Sequence, residues 1–202
     1  MKKSLLILTL ILTLYSDAFT AVGCDLNDPD RDVKRLFPGS TGYKTAYLSI
    51  EKVGGQALLK QIEERLGSKF SGLYETIDVP YTIYTIFKGK EIIGYIHGIN
   101  QKGSYGGLQV FLAFDLKGKI LNFYYQKLTS KDAKAMRAPE FAAQFKGLTL
   151  ADFTSYNPET RTGIPNGIKS REDSDFFATL RAVKKNLIIM DAFIFNNKEK
   201  KQ

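Results

Sequence analysis

The sequence predicts an α+β fold, in which one domain carries an antiparallel sheet built from hairpins, flanking helices and a long C-terminal helix. Three observations lead to this prediction. The predicted strands lie in the middle of the chain and are joined by short turns that contain glycine. Apolar residues recur at helical spacing on both sides of these strands. No internal repeat or second domain boundary is evident, so strands and helices are segregated within one unit.

The first part of the domain predicts two helices and a strand. Residues 27–35 carry Pro29 in the first turn and are followed by Pro38-Gly39, the pattern of a short helix. Residues 43–50 predict a strand. Residues 56–66 place leucine and isoleucine at helical spacing, and Gly67 ends that helix.

Two hairpins follow. Residues 81–87 and 91–97 are rich in β-branched and aromatic side chains, and Lys88-Gly89-Lys90 forms the turn between them. Residues 108–115 alternate between apolar and other side chains. Lys117-Gly118 predicts a turn, and residues 119–126 return as the partner strand.

The last third of the chain predicts helices again. Residues 139–145 form a short helix, residues 147–153 a compact connection, and residues 154–169 a polar loop. The longest predicted helix runs from residue 174 to about residue 195. Its expected buried stripe consists of Phe177, Leu180, Val183, Leu187 and Met190.

The N-terminus predicts export. Lys2 and Lys3 precede an apolar run over residues 5–15, which is too short to cross a bilayer core of about 30 Å. Small residues follow at positions 16–18 and 21–23, as signal peptidase requires. We therefore expect a signal peptide over residues 1–23 and an exported, periplasmic domain over residues 24–202.

The only cysteine of the chain, Cys24, directly follows the small residues Ala21-Val22-Gly23. This arrangement resembles a bacterial lipobox, although Ala21 stands where leucine is usual. Three outcomes stay open: lipidation of Cys24, which would hold the protein at a membrane surface, ordinary cleavage to a soluble periplasmic form, and an uncleaved anchor. A single cysteine excludes an intrachain disulfide and a redox dithiol.

Charge and composition limit the chemistry further. For an exported protein, the net charge of +8 favours anionic lipid headgroups or an acidic redox partner over nucleic acid. The lone histidine, His97, has no second histidine or cysteine pair with which to complete a metal site. Ser104 does not lie in a nucleophile elbow. No hydrolase constellation is therefore expected.

Two features suggest a ligand site. The stretch 98–107 contains four glycines, which let backbone approach a flat ligand or a phosphate, although an ordinary hairpin loop is the alternative. Aromatic residues crowd the following hairpin. Tyr124 and Tyr125 must face opposite sides of the sheet, so one of them could contact a ligand, with core packing as the alternative.

Several segments occur in the order seen in a known family. Gly103-Ser104-Tyr105-Gly106-Gly107 precedes an apolar strand, and segments 115–120, 125–129 and 141–147 follow, then Leu148 and Leu150. This pattern resembles the FMN-binding domain in the extracytoplasmic subunits of the Rnf complex and of the sodium-translocating NADH:quinone reductase. The resemblance implies flavin mononucleotide (FMN) as cofactor and electron transfer as function.

Two departures from that family concern the cofactor. Its Glu-Thr-Pro-Gly segment is replaced by Leu128-Thr129-Ser130-Lys131, which keeps only the threonine. Its Ser-Gly-Ala-Thr motif, whose threonine carries FMN covalently, is absent. The nearest fragment, Phe177-Ala178-Thr179, lies inside the predicted last helix. The resemblance therefore implies FMN that is bound without a covalent link.

The expected flavin site combines two groups of residues. A phosphate could lie before the last helix, where backbone amides and two cations would bind it. The nearby acids Glu172, Asp173 and Asp175 would repel it. The alternative is that Ser170 and Asp173 form a capping box for the helix. The resulting function is an electron carrier with a membrane-associated or periplasmic redox partner. The alternative is a non-redox periplasmic lipoprotein that uses the fold for ligand binding or assembly. The expected site residues are Gly103, Tyr105, Gly106, Gly107, Tyr125 and Thr129 for the flavin, and Lys169, Ser170 and Arg171 for its phosphate.

Overall fold

A computed structural model describes residues 24–71 and 75–196 of the chain. The predicted signal peptide, residues 1–23, lies outside the described residues. Elements follow in the order α1 (Pro29–Leu36), β1 (Gly42–Leu48), α2 (Ile50–Val53), α3 (Gly55–Leu66), β2 (Tyr81–Lys88), β3 (Glu91–Lys102), β4 (Gly107–Phe114), β5 (Ile120–Leu128), α4 (Ala133–Met136), α5 (Pro139–Ala143) and α6 (Ser174–Met190). A 3₁₀ turn, Ala151–Phe153, precedes α6, and a π-helical turn, Asp191–Phe195, follows it.

The five strands form one antiparallel sheet in the order β1-β2-β3-β4-β5, so each strand pairs with its neighbour in the chain. The two predicted hairpins are present. Their turn glycines, Gly89 and Gly118, have φ of 60° and 82°, which few other residues adopt. The α+β prediction, with a single domain and a long C-terminal helix, is confirmed.

Two strand boundaries in the structure differ from those predicted. Residues 98–102, expected to belong to a loop, continue strand β3, because β4 pairs with them as far as Lys102 opposite Gly107. Gly98 lies against the Phe111 ring, and a β-carbon there would come within 2.4 Å of that ring. The predicted strand 43–50 ends at Leu48. There the Ser49 hydroxyl accepts a hydrogen bond from the Lys52 amide and begins helix α2.

Helix α6 packs on one face of the sheet and builds the larger core. Its contacts with β3 and β4 bury Leu180, Val183 and Leu187, as the helical stripe predicted. The burial extends beyond that stripe, since Lys184, Lys185 and Asn186 are also buried. An amphipathic pattern cannot predict this, because polar side chains normally mark the solvent face of a helix.

The N-terminal segment covers the opposite face and builds a second core. In α1, the Asp28 side chain accepts a hydrogen bond from the Arg31 amide at 3.2 Å and caps the helix. The apolar face of this helix then rests on the sheet. The second core consists of Cys24, Leu26, Val33, Leu36 and Phe37 packed on Tyr84, Ile86, Ile96, Phe111 and Ala113.

Among the residues described, no helix combines the length and the apolar character that crossing a membrane requires.

Candidate functional site

A cleft of about 950 Å³ lies at the end of the sheet where β3 turns into β4, beside the first half of α6. Its volume falls within the range of about 300–1,000 Å³ that is usual for small-molecule sites. The predicted glycines Gly103, Gly106 and Gly107 line it, together with Phe177 from α6. The structure therefore places an opening where the glycine loop meets the last helix.

The glycine loop is fixed to the first turn of α6. The Gly103 amide donates to the Gly106 carbonyl at 2.8 Å, and the Ser104 amide donates to Asp175 Oδ1 at 2.7 Å. The hydroxyls of Ser104 and Ser174 lie 2.5 Å apart. A β-carbon at position 103 would lie 2.7 Å from Asp175 Oδ1, so glycine is needed for this close approach. The glycine loop is thus a fixed rim of the cleft, and its first two backbone amides already donate hydrogen bonds within the protein.

Arg181 lies at the base of the cleft and is fully engaged. Its guanidinium donates to both oxygens of Glu75, at 2.8 and 3.2 Å, and to Gln101 Oε1 at 2.8 Å. It also donates to the Ser68 hydroxyl at 3.2 Å and the Lys69 carbonyl at 3.0 Å. Five hydrogen bonds match the five N–H groups of arginine. Arg181 therefore holds residues 68, 69 and 75 against α6 and has no free donor for a ligand.

Glu75 is the centre of this buried ionic cluster. It also accepts a hydrogen bond from Lys185 Nζ at 2.5 Å, and Lys185 is 1 % exposed. Burial acts to raise the pKa of Glu75, but the two cations outweigh it and hold that pKa well below its usual value. Burial lowers the pKa of Lys185, and Glu75 opposes this change. The cluster is structural: it holds the floor of the cleft in place.

Three cations that line the cleft have no carboxylate partner among the described residues, namely Lys102, Lys127 and Arg161. Lys69, by contrast, pairs with Glu63 at 2.6 Å. One exposed carboxylate, that of Glu159, also lies in the lining. The unpaired cations give the cleft a positive potential that favours an anionic ligand.

The register of the sheet places two of these cations together. Lys102 lies opposite Gly107, and Lys127 lies opposite Gln109. Residues 107 and 109 point to the same face of β4, so the two lysines share that face and flank a position that has no side chain. A β-carbon at Gly107 would find no atom within 4 Å. The result is an open basic patch at the rim.

An aromatic ring also lines the cleft. Phe177 is half-buried in the lining of the cleft, and the Arg161 guanidinium lies 4.9 Å from the centre of its ring. Arg161 has φ of 60°, an uncommon backbone conformation for a residue other than glycine. A flat ligand that displaces this guanidinium would meet the face of the Phe177 ring.

The other residues predicted for the flavin lie outside the lining. Tyr125 is buried in the core, with its hydroxyl 2.6 Å from that of Thr179 and its ring 4.8 Å from the Phe123 ring. Burial raises the pKa of Tyr125. Thr129 packs beside Gly106. Tyr105 is 50 % exposed, and Lys131 Nζ lies 4.8 Å above its ring. Of the predicted flavin residues, only the glycines line the cleft.

The predicted phosphate segment is likewise occupied by other contacts. The Lys169 amide donates to Gln144 Oε1 at 2.7 Å, and Ser170 is exposed. The Arg171 side chain pairs with Asp173 at 2.9 Å and lies 3.7 Å from Asp132. Asp173 itself caps α6 by accepting from the Phe176 amide at 2.6 Å. None of the three predicted phosphate residues lines the cleft.

The residues that sequence reasoning missed are Lys102, Lys127, Arg161, Arg181 and Glu75. The two lysines were visible as cations next to the glycine loop and the returning strand, and a correct boundary for β3 would have paired them. The contact of Arg161 with Phe177 and the cluster around Glu75 depend on long-range packing, for which the sequence carries no local signal.

Cys24, predicted as the lipidation residue, is 2 % exposed and packs in the second core. Burial raises the pKa of its thiol, so the sulfur is a poor nucleophile in this position. Acyl chains on this sulfur would require residue 24 to leave the second core. Lipidation stays a prediction.

Across the described residues, no group of three or more His, Cys, Asp or Glu side chains is arranged to hold a metal ion. No protein-family model matches the chain, and no curated protein sequence matches it.

Proposed function

We propose that this domain binds FMN without a covalent link in the cleft and acts as an exported electron carrier. The observation that carries the proposal is the combination, in one cleft, of a glycine rim, two unpaired lysines and an accessible aromatic ring. A phosphate and a planar heterocycle are the two chemical groups that such a cleft recognises.

The phosphate end is assigned to Lys102 and Lys127. These residues share one face of the sheet beside Gly107, where a β-carbon would find no atom within 4 Å. Neither is paired with a carboxylate among the described residues, so a phosphate need not displace a competing acid. Both are exposed, and salt will therefore weaken the attraction.

The ring end is assigned to Phe177, with Arg161 leaving its present place over the ring. Covalent attachment is not part of the proposal, because Thr179 is fully buried and its hydroxyl donates to the Asp175 carbonyl at 2.8 Å. When bound, FMN supplies the electron transfer, and the protein supplies its position and electrostatic surroundings.

The test is a titration of FMN with the protein purified from the periplasmic fraction, followed by flavin fluorescence. We expect quenching that saturates, and weaker binding of riboflavin, which lacks the phosphate. Lys102→Gln with Lys127→Gln should weaken FMN binding by about two- to thirtyfold, since each exposed ionic contact contributes about 0.2–1 kcal/mol. The matched control, Lys117→Gln, changes an exposed lysine at the opposite end of β4 and should leave binding unchanged. FMN that keeps its free fluorescence at every protein concentration would end the proposal.

A non-redox ligand-binding function is the second candidate, and the position of Tyr125 favours it. With that ring in the core, Phe177 is the one aromatic residue among the described residues of the lining, and few described groups are left to tune a flavin. The reduction potential of added FMN distinguishes the two candidates. A potential shifted by the protein supports electron transfer. An unshifted potential, with other aromatic phosphates bound equally well, supports the non-redox function.

We also propose that the protein works outside the cytoplasm, with a membrane-associated or periplasmic redox partner. Lys2 and Lys3, followed by an apolar run and small residues, support export, and the net charge of +8 supports an acidic partner or an anionic membrane surface. Cell fractionation with a fatty-acid label tests it, with Cys24→Ala as the control. Label that depends on Cys24 supports a lipoprotein. Unlabelled protein in the periplasmic fraction supports ordinary cleavage, and cytoplasmic protein contradicts export.

A further inference from the structure

The two edge strands of the sheet, β1 and β5, differ in how far other segments cover them. On β5, the Arg137 guanidinium donates to the Tyr125 carbonyl at 2.9 Å. The backbone of Ile120 is bonded to segment 147–148, at 2.8 and 2.9 Å. Two register shifts interrupt the pairing of β5 with β4. Bulges and covering segments of this kind protect a sheet edge from pairing with another chain.

The opposite edge, β1, has none of these features. Its seven residues pair with β2 without a register shift and contain no proline. Within the described part of the chain, no backbone hydrogen bond from another segment reaches the outer side of residues 42–48. An unprotected edge strand presents a row of free N–H and C=O groups to a second strand.

The four central side chains of β1 are also exposed. Lys44, Thr45, Ala46 and Tyr47 are all exposed, so both faces of the strand reach solvent. Tyr47, at 59 %, is the most exposed of the large hydrophobic side chains in the described residues. At a free edge, this ring is available to pack against a side chain of a second strand.

The sequence of β1 fits a second copy of itself. In an antiparallel pair about a twofold axis perpendicular to the sheet, residues on the same face lie opposite each other. Only the register centred on Thr45 uses the whole strand, and it places Tyr43 opposite Tyr47 and Lys44 opposite Ala46. Centring on Lys44 instead would oppose two like charges and shorten the pairing. The register that uses the whole strand therefore also avoids charge repulsion.

We propose that β1 is a self-association edge, at which two copies of this chain pair antiparallel around Thr45 and extend the sheet across the dimer. One strand pair buries less than the roughly 1,200 Å² of a standard stable interface, so the dimer is weak and reversible. Because each chain carries a net charge of +8, added salt screens the repulsion between copies and promotes pairing. This proposal does not depend on the ligand of the cleft.

Disulfide trapping in the full chain tests the register. Directly opposite residues have Cα atoms about 4.5–5.5 Å apart, which lies within the disulfide range of about 4.4–6.8 Å. Thr45→Cys should therefore form a crosslinked dimer about tenfold faster than Lys44→Cys, whose two copies lie diagonally apart. A mixture of Lys44→Cys and Ala46→Cys should crosslink to each other. The unmodified chain is the control, because its Cys24 is buried.

Equal crosslinking rates for Thr45→Cys and Lys44→Cys would overturn the proposal, since they indicate random collision. Sedimentation velocity of the unmodified chain is the second measurement. It should show a dimer fraction that rises with concentration between about 10 µM and about 1 mM and rises further with salt. A strict monomer across that range would also overturn the proposal.

Discussion

His97 predicts a loss of stability in mild acid. Its side chain is fully buried, with Nδ1 2.8 Å from Asn186 Oδ1, while Asn186 Nδ2 donates to the His97 carbonyl at 3.0 Å. The amide oxygen accepts, so Nδ1 carries the proton of a neutral ring. Nε2 has no hydrogen-bond partner among the described groups. The folded protein therefore holds a neutral imidazole in a buried site with one unsatisfied ring nitrogen.

The size of the effect follows from the pKa. Burial is the main cause that lowers the pKa of His97 from 6.5 to about 4, and the charge of Lys185 acts in the same direction. The hydrogen bond that the His97 ring donates to Asn186 opposes both. Because the folded pKa is depressed, the unfolded chain binds the extra proton between these two values. The stabilisation is thus complete above pH 6.5 and is lost as the pH falls towards 4. Its full size is about 3 kcal/mol, at about 1.36 kcal/mol per unit of pKa.

The assay is urea unfolding at several pH values from about 7.5 down to about 4.5, for the unmodified chain and for His97→Gln. His97 is the only histidine, and the ionised Glu75 loses its contribution only below its ordinary pKa of 4.5. The difference in unfolding free energy between the two proteins should therefore shrink by about 2–3 kcal/mol across this range. A difference that stays constant with pH would refute the reasoning, because it would mean that the folded state takes up the proton as easily as the unfolded chain.

Three further substitutions give separate readouts. Glu75→Gln should destabilise the fold by about 3–5 kcal/mol in urea unfolding, because it leaves two cations beside the cleft without their carboxylate. Tyr125→Phe should cost about 1 kcal/mol through the lost contact with Thr179 and leave FMN affinity unchanged, since the ring is outside the cleft; a large loss of FMN binding would contradict the assigned site. Gly103→Ala should both lower the melting temperature and weaken FMN binding, because its β-carbon would press on Asp175. If only the melting temperature falls, the glycine loop is not part of the FMN site.

The strands and hairpins of the sheet could be predicted because the sequence signals for them lie within short stretches of the chain. Glycines at the hairpin turns, alternation along β4 and helical spacing in α6 each act over a few residues. The expected loop at 98–102 was placed wrongly for a related reason. Gly98 carries no apolar side chain to continue the strand pattern, and its role is to admit the Phe111 ring from the neighbouring strand.

The candidate site was only partly predictable because its side chains meet over long distances in the chain. Alternation shows that Tyr124 and Tyr125 face opposite ways, but not which partner each finds. Tyr125 faces the core, where its hydroxyl forms a hydrogen bond with that of Thr179, 54 residues later in the chain. Tyr124 instead lies beneath the guanidinium of Arg35, 3.5 Å from the ring centre. Glycine density did locate the rim, since close packing against α6 requires it.

The arrangement of charge decides how the cleft can work. Arg181 lines the cleft, but all its donors are used to hold Ser68, Lys69, Glu75 and Gln101, so it contributes position rather than affinity. Any anion must therefore be bound by the exposed lysines at the rim, whose attraction salt screens over about 8–10 Å. Ligand affinity should accordingly fall as ionic strength rises, while stability, which depends on the buried cluster, should change little. Salt thus separates binding from folding in this protein, because the ion pairs of Glu75 with Arg181 and Lys185 are buried and the unpaired lysines of the cleft are exposed.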